Sequence, residues 1–237
     1  MKFDRRRRLV AEAVGTALLL AAVVGSGVMA DRLSGGNEAL ALLANTVATG
    51  ASLVALITTF GHISGAHFNP VVTLADASQG GLAWSDVLPY VCVQMAGAVC
   101  GVWAAHFMFS EPVFMVSHQV RSGPAQLFSE FVATFGLLAV IWGCSRHRPA
   151  AVPFAVAAYI TGAYWFTAST SFANPAVTIA RALTDTFAGI RPLDVPGFIV
   201  VQLAGGMTAT ALFRWMVPAL PAAADRLPVG HSERALP

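Results

Sequence analysis

The sequence predicts an all-α integral membrane protein, with six transmembrane helices and two re-entrant half-helices arranged as an inverted repeat. Three observations carry this prediction. Hydrophobic residues make up 56% of the 237 and charged residues only 11%, with a mean hydropathy of +0.67. Soluble domains carry about a quarter charged residues, so most of this chain cannot face water. Six apolar segments are readable, at about 9–30, 38–60, 85–108, 125–145, 149–168 and 193–217, each near the ~20 residues that a helical span requires. Finally, a set of short motifs occurs twice in the same order. Together these argue against a cytosolic enzyme, a disordered chain or a soluble binding module.

Residues 1–8 read as a basic cytoplasmic N-terminus, with Arg5, Arg6, Arg7 and Arg8 directly before the first apolar run. Such a block anchors the cytoplasmic side of a span. No second basic patch accompanies it, so no nucleic-acid partner is expected. The run that follows is too long for the apolar core of a signal peptide. With the N-terminus inside, Lys2, Arg5–Arg8, Arg146, Arg148, Arg214, Arg226 and Arg234 fall on the cytoplasmic side, whereas Arg32, Arg121, Arg181 and Arg191 fall on the other. The expected placement is a multi-pass protein of the inner (plasma) membrane with both termini cytoplasmic. Residues 218–237, rich in Pro and Ala, read as a disordered cytoplasmic tail. Cys92, Cys100 and Cys144 lie in apolar stretches without C-x-x-C spacing and read as buried free thiols. His106, His118, His147 and His231 are scattered near the ends of spans or beyond them and show no ligand spacing, so neither a metal nor a cofactor is expected.

Two further pieces, Gly61–Gly80 and Ser169–Gly189, are too short to cross. Each has a polar start, then Asn-Pro, then about ten residues of helical character. Irregular backbone at membrane depth is tolerated only where it is buried or lines a wet cavity, which makes these pieces the functional suspects. Small residues such as Gly97, Gly101, Gly205 and Gly206 read as close helix contacts.

The repeat is explicit. Glu12-Ala-Val-Gly-Thr16 matches Glu130-Phe-Val-Ala-Thr134, Asn69-Pro-Val-Val-Thr73 matches Asn174-Pro-Ala-Val-Thr178, and Val93-Gln-Met-Ala-Gly97 matches Val201-Gln-Leu-Ala-Gly205. Repeat one covers about 9–110 and repeat two about 121–217. Three spans per half make the halves antiparallel, which places a site where they meet near the midplane. Asn is a favoured N-cap and Pro a favoured first helical residue. Asn69-Pro70 and Asn174-Pro175 therefore each start a half-helix, one from each side. Their N-termini each carry about half a positive charge and disfavour cations and protons between them. A carboxylate inside a span costs a few kcal/mol. Glu12 and Glu130 read either as a proton relay or, as the matched loops favour, as matched acceptors for the loops' free N–H groups, with Gln94 and Gln202 read the same way.

At this point the chain resembles the aquaporin and aquaglyceroporin (major intrinsic protein) family. Ser64-Gly-Ala-His-Phe-Asn-Pro-Val-Val-Thr73 is close to its first signature and Asn174-Pro175-Ala176 is its second, and the likeness covers residues 9–217. The resemblance implies a pore in each subunit and a homotetramer in the lipid bilayer. It assigns the pore constriction to Asn69, Pro70, Val71, Asn174, Pro175 and Ala176, and the selectivity filter to Thr49, Gly162, Ser171 and Val177. Gly65, Ala66, His67 and Phe68 would line one half-channel through their backbone, and Thr170, Phe172 and Ala173 the other. Two departures stand out: Val71 replaces an Ala, and Val177 replaces the filter Arg. A wide, uncharged filter implies passage of glycerol, urea, hydrogen peroxide or arsenous acid, with some water. The Asn-Pro-Ala-Val string resembles an AqpS-type branch linked to arsenic resistance, which puts arsenite first. Arg181, one turn past Val177, is a candidate for a looser positive charge at the outer mouth, or snorkels to headgroups. His62 reads as loop packing or an inner gate.

Three alternatives remain open from the sequence. An orthodox water channel would share the fold. A proton-coupled transporter would also use inverted repeats and membrane carboxylates. An intramembrane enzyme would rest on His62 and Ser64 alone, and such sites are recognised by geometry rather than by short strings.

Overall fold

The computed structural model describes residues 3–146 and 148–217. Over these residues the chain forms α1 (Arg5–Leu33), α2 (Glu38–Ser64), α3 (Pro70–Ser78), α4 (Trp84–Phe109), α5 (Pro124–Ser145), α6 (Val152–Phe166), α7 (Pro175–Arg181) and α8 (Val195–Met216). Single 3-10 turns, Pro149–Ala151 and Pro192–Asp194, lead into α6 and α8. The expected tail, 218–237, and His147 and His231 lie outside the described residues.

The helix starts follow local chemistry. Asp4 caps α1, its carboxylate accepting from the Arg7 backbone N–H at 2.9 Å. The basic block is thus the first turn of α1 rather than a separate segment before it. Cations at a helix N-terminus are disfavoured by its dipole, and an acid from the other end of the repeat offsets them. Arg8 donates to Asp86 Oδ2 at 2.7 Å and Arg5 Nε lies 3.0 Å from Asp86 Oδ1. Asn37 caps α2 by accepting from Leu40 N, and α2 ends at Gly65 in a left-handed conformation, φ +94°. The half-helix α3 has nine residues, close to the expected length, and α7 is shorter at seven.

Among the described residues, five helices are long and apolar enough to cross a membrane: α1, α2, α4, α5 and α8 with its leading turn. α6 has 15 residues, about 23 Å of rise. The chain is therefore a multi-pass, all-helical membrane protein. α1 packs on α2 and α4, α5 packs on α6 and α8, and α2 meets α6 across the halves. Each half-helix packs against both α4 and α8, so each half closes over the other's loop.

Close approach sets the helix contacts. A Cβ on Gly97 would collide with the Ala13 carbonyl oxygen, on Gly101 with that of Ala17, and on Gly205 with that of Phe131. Without a hydrophobic drive between helices in lipid, such backbone proximity supplies packing. The cysteines depart from expectation: Cys92 and Cys100 are exposed and Cys144 half-exposed. The inward stripes of α4 and α5 are taken by other residues, so the thiols stand on the outer faces.

Gly97→Val and Gly205→Val should each lower stability by about 1–3 kcal/mol or more, read as a fall in thermal midpoint in detergent. Gly61→Ala, whose added methyl meets nothing within 4 Å, should leave the midpoint unchanged. Equal midpoints for all three would contradict the packing.

Candidate functional site

The two loops that lead into α3 and α7 share one backbone path. Gly65, Ala66 and Phe68 have φ of +94°, +48° and +48°, and their repeat counterparts Thr170, Ser171 and Ala173 have +59°, +52° and +51°. Five of the six are not glycine, and a left-handed residue of that kind costs of order 1–3 kcal/mol. A strained loop inside a membrane protein also leaves N–H groups without helical partners.

One carboxylate under each loop meets that need. Glu12 Oε1 accepts from Ser64 Oγ at 2.6 Å and His67 N at 3.0 Å, and Oε2 accepts from Phe68 N at 2.7 Å and Gln94 Nε2 at 2.8 Å. Glu130 repeats the pattern: Oε1 accepts from Ser169 Oγ at 2.6 Å and Phe172 N at 2.8 Å, and Oε2 from Ala173 N at 2.9 Å and Gln202 Nε2 at 2.6 Å. Both carboxylates are fully buried. Gln94 and Gln202 differ from expectation. They bind no loop N–H but donate to the carboxylate and to Thr73 or Thr178 Oγ1, each at 2.9 Å.

The asparagines close the two loops on each other. Asn69 Oδ1 caps α3 through Val71 N at 2.9 Å, and Asn174 Oδ1 caps α7 through Ala176 N at 2.9 Å. Asn69 Nδ2 donates to Ala173 O and Asn174 Nδ2 to Phe68 O, both at 2.8 Å. Each amide thus spends one N–H on the opposite loop and keeps the other. Pro70 and Pro175 occupy the first helical positions.

A continuous cavity of about 410 Å³ runs past both asparagines, from His62 and Asp76 to Arg181. Of the residues expected to form it, Gly65, Ala66, His67, Phe68, Asn69, Phe172, Ala173 and Asn174 are in its wall, as are Thr49, Ser171, Val177 and Arg181. The Ser171 hydroxyl has no partner among the described residues. Gly162 does not belong to this wall: it is exposed on α6. The inward stripe of α6 is Val152, Val156, Ile160 and Tyr164, spaced by four, and a residue two away from Ile160 and Tyr164 points to the opposite side. Tyr164 instead lines the cavity, its hydroxyl 3.5 Å from Thr49 Oγ1. Thr170 is likewise outside the wall and lies 3.4 Å from Arg121. Val71 is fully buried and turned away from the cavity, filling the space that a Gly206 side chain would take. Pro70, Pro175 and Ala176 form the half-helix bases behind the wall. His62 is exposed at one mouth, with Phe3 edge-on at 5.9 Å.

Arg181 does not reach into headgroups. It is 3% exposed, its guanidinium sits 3.5 Å from the Phe172 ring centroid, and its Nε donates to Ala188 O. Its Nη1 is buried without a partner among the described residues. Sequence reasoning missed Arg121, which carries no local motif. This residue clamps the second loop, donating to Gly189 O at 2.8 Å and Ser169 O at 3.2 Å, and lies 5.1 Å from the Phe172 centroid. The segment that holds Arg181 is tied down in turn. The backbone N–H of His118, then its ring, hold the Asp185 carboxyl below the usual carboxylate range.

A path that runs past two paired loops inside a bundle of long apolar helices is the geometry of a channel. Comparison with known proteins agrees. Residues 1–158 match the model of the major intrinsic protein family. Aquaglyceroporin AqpS of Rhizobium meliloti (strain 1021) is 57% identical over 221 residues, 93% of this chain and 94% of that protein. Aquaporin Z of Bradyrhizobium diazoefficiens is 29% identical over 89% of this chain and 93% of its own. The X-ray structure of the aquaglyceroporin from Plasmodium falciparum shares the fold, with TM-score 0.62 at 18% identity over 90% of this chain and 95% of that one. The chain belongs to the major intrinsic protein family. It is an aquaglyceroporin-type channel for small neutral solutes and not an enzyme.

Glu12→Gln and Glu130→Gln place an NH2 against buried donors, at about 1–3 kcal/mol per group left unsatisfied. Each should lower the thermal midpoint and abolish solute flux in vesicles. Wild-type stability and flux in either variant would contradict the anchoring role.

Proposed function

We propose that the chain is a six-span channel whose filter, formed by Thr49, Ser171, Val177 and Tyr164, passes neutral solutes larger than water, with arsenous acid and glycerol the leading cargoes. α6 supplies the sixth span, α3 and α7 enter from opposite sides, and the basic first turn of α1 lies on the cytoplasmic side, as do both termini. The subunit works as one pore of a homotetramer.

The observation that carries this reading is Val177. It lies in the cavity wall three residues after Asn174, 6% exposed, where an aliphatic side chain offers neither charge nor donor. A filter arginine selects by narrowing the path and by binding oxygen directly. With Val177 in that place, selection rests on the width of the path, the free amide N–H of each asparagine, and the partnerless Ser171 hydroxyl. Each offers a hydrogen bond to a passing hydroxyl group without holding it as an ion would. The carboxylates Glu12 and Glu130 are consumed by loop anchoring and fully buried, which removes these two from any proton relay and disfavours a coupled transporter built on them. The name of the AqpS relative supports the aquaglyceroporin assignment.

Stopped-flow permeation in proteoliposomes tests the reading. Val177→Arg should reduce arsenite and glycerol entry about tenfold or more, a barrier change of about 1.4 kcal/mol. Entry of both solutes should be unaffected by an ionophore that collapses the proton gradient. Undiminished entry in the variant would refute the filter, and ionophore-sensitive entry would favour a coupled transporter.

A further inference from the structure

The two half-helices carry opposite charges at matching positions. Asp76 follows Asn69 by seven residues, and Arg181 follows Asn174 by seven. Seven residues are two turns, so each charge lies ~10 Å along its half-helix from the asparagine pair, in opposite directions. Both side chains are in the wall of the same cavity.

Neither charge is neutralised by a strong partner. The Asp76 carboxylate lies against Gly81, where a Cβ would collide with it, and is 3.5 Å from His67 Nε2. Among the described residues it accepts no hydrogen bond. Arg181 makes no ion pair among the described residues. Its guanidinium rests on Phe172 and the Ala188 carbonyl, and Nη1 has no acceptor. The Arg181 end is strongly enclosed, whereas the Asp76 side chain is 26% exposed. Fixed charges in an enclosed path are poorly screened and act over a longer range than surface charges do.

We propose that Arg181 and Asp76 form an ion barrier of two signs in series. A cation drawn to Asp76 is turned back at Arg181, and an anion drawn to Arg181 is turned back at Asp76. A neutral solute meets neither barrier. Placing the charges at the two ends frees the constriction itself from carrying a cation, which is why Val177 can be aliphatic without the path becoming an ion leak. The inference rests on the reading of this cavity as the conduction path, and it adds Asp76 as a selectivity residue.

The test uses the full chain in proteoliposomes, with potassium and chloride fluxes read separately and glycerol entry measured in parallel. Arg181→Gln should raise potassium leak about tenfold or more and leave chloride leak low, and Asp76→Asn should raise chloride leak by a similar factor. Arg181→Lys and Asp76→Glu, which keep the charge, should remain ion-tight. The sign of the leaking ion is decisive in each variant that elutes like wild type, so one folded variant suffices. Ion-tight Arg181→Gln or Asp76→Asn protein would overturn the proposal, as would equal leaks of both ions. A wild-type chain that passes no glycerol would instead overturn the conduction reading. Glycerol passage together with ion-tight neutral variants would overturn this inference alone.

Discussion

Each loop of this channel is held by a single buried carboxylate that accepts four hydrogen bonds. The loops adopt left-handed backbone at three positions apiece, with only one glycine among the six, and that geometry would relax without a partner for its N–H groups. Glu12 and Glu130 supply the partner from α1 and α5, the first helix of each half. A carboxylate in a membrane interior is costly when alone. Here all donors come from the protein, so the charge is compensated by hydrogen bonds rather than by a counter-ion. Gln94 and Gln202 complete the shell from α4 and α8. The path between the loops depends on these two groups of donors being held in place.

The repeat gives symmetry where the backbone must be positioned and departs from it where the path needs polarity. Loop torsions, asparagine caps, carboxylates and glutamines match pair by pair. The side chains facing the cavity do not: His67 stands opposite Phe172 rather than a second histidine, and Asp76 corresponds to Arg181. Behind the wall, Val71 corresponds to Ala176, and its extra bulk is taken up by Gly206 on α8. The substitution in the first motif therefore leaves the cavity wall unchanged and alters a helix contact instead.

Much of this was legible in the sequence because the chemistry is local. Asn-Pro signals a capped helix start, a membrane carboxylate demands an explanation, and three motifs in register reveal the repeat. The failures have a common cause, which is that they depend on helix phase or on distant contacts. The family resemblance assigns Gly162 to the filter, but the phase of α6 turns Ile160 and Tyr164 inward instead. Cys92 and Cys100 lie in apolar runs, and an apolar run in a membrane protein does not distinguish the bundle interior from its outer face. The first turn of α1 reads as a basic anchor set before the first span, because its partner, Asp86, is far away in sequence. Arg121 was only a charge in a loop until the fold set it against Ser169, Gly189 and Phe172.

The central claim is that the two asparagines meet between half-helices pinned by Glu12 and Glu130. An experimental structure of the chain in lipid tests it most directly. The account predicts Asn69 Nδ2 within hydrogen-bond reach of Ala173 O, Asn174 Nδ2 within reach of Phe68 O, and ordered water or solute density passing both amides. Separated asparagines, or a blocked path beside them, would contradict it.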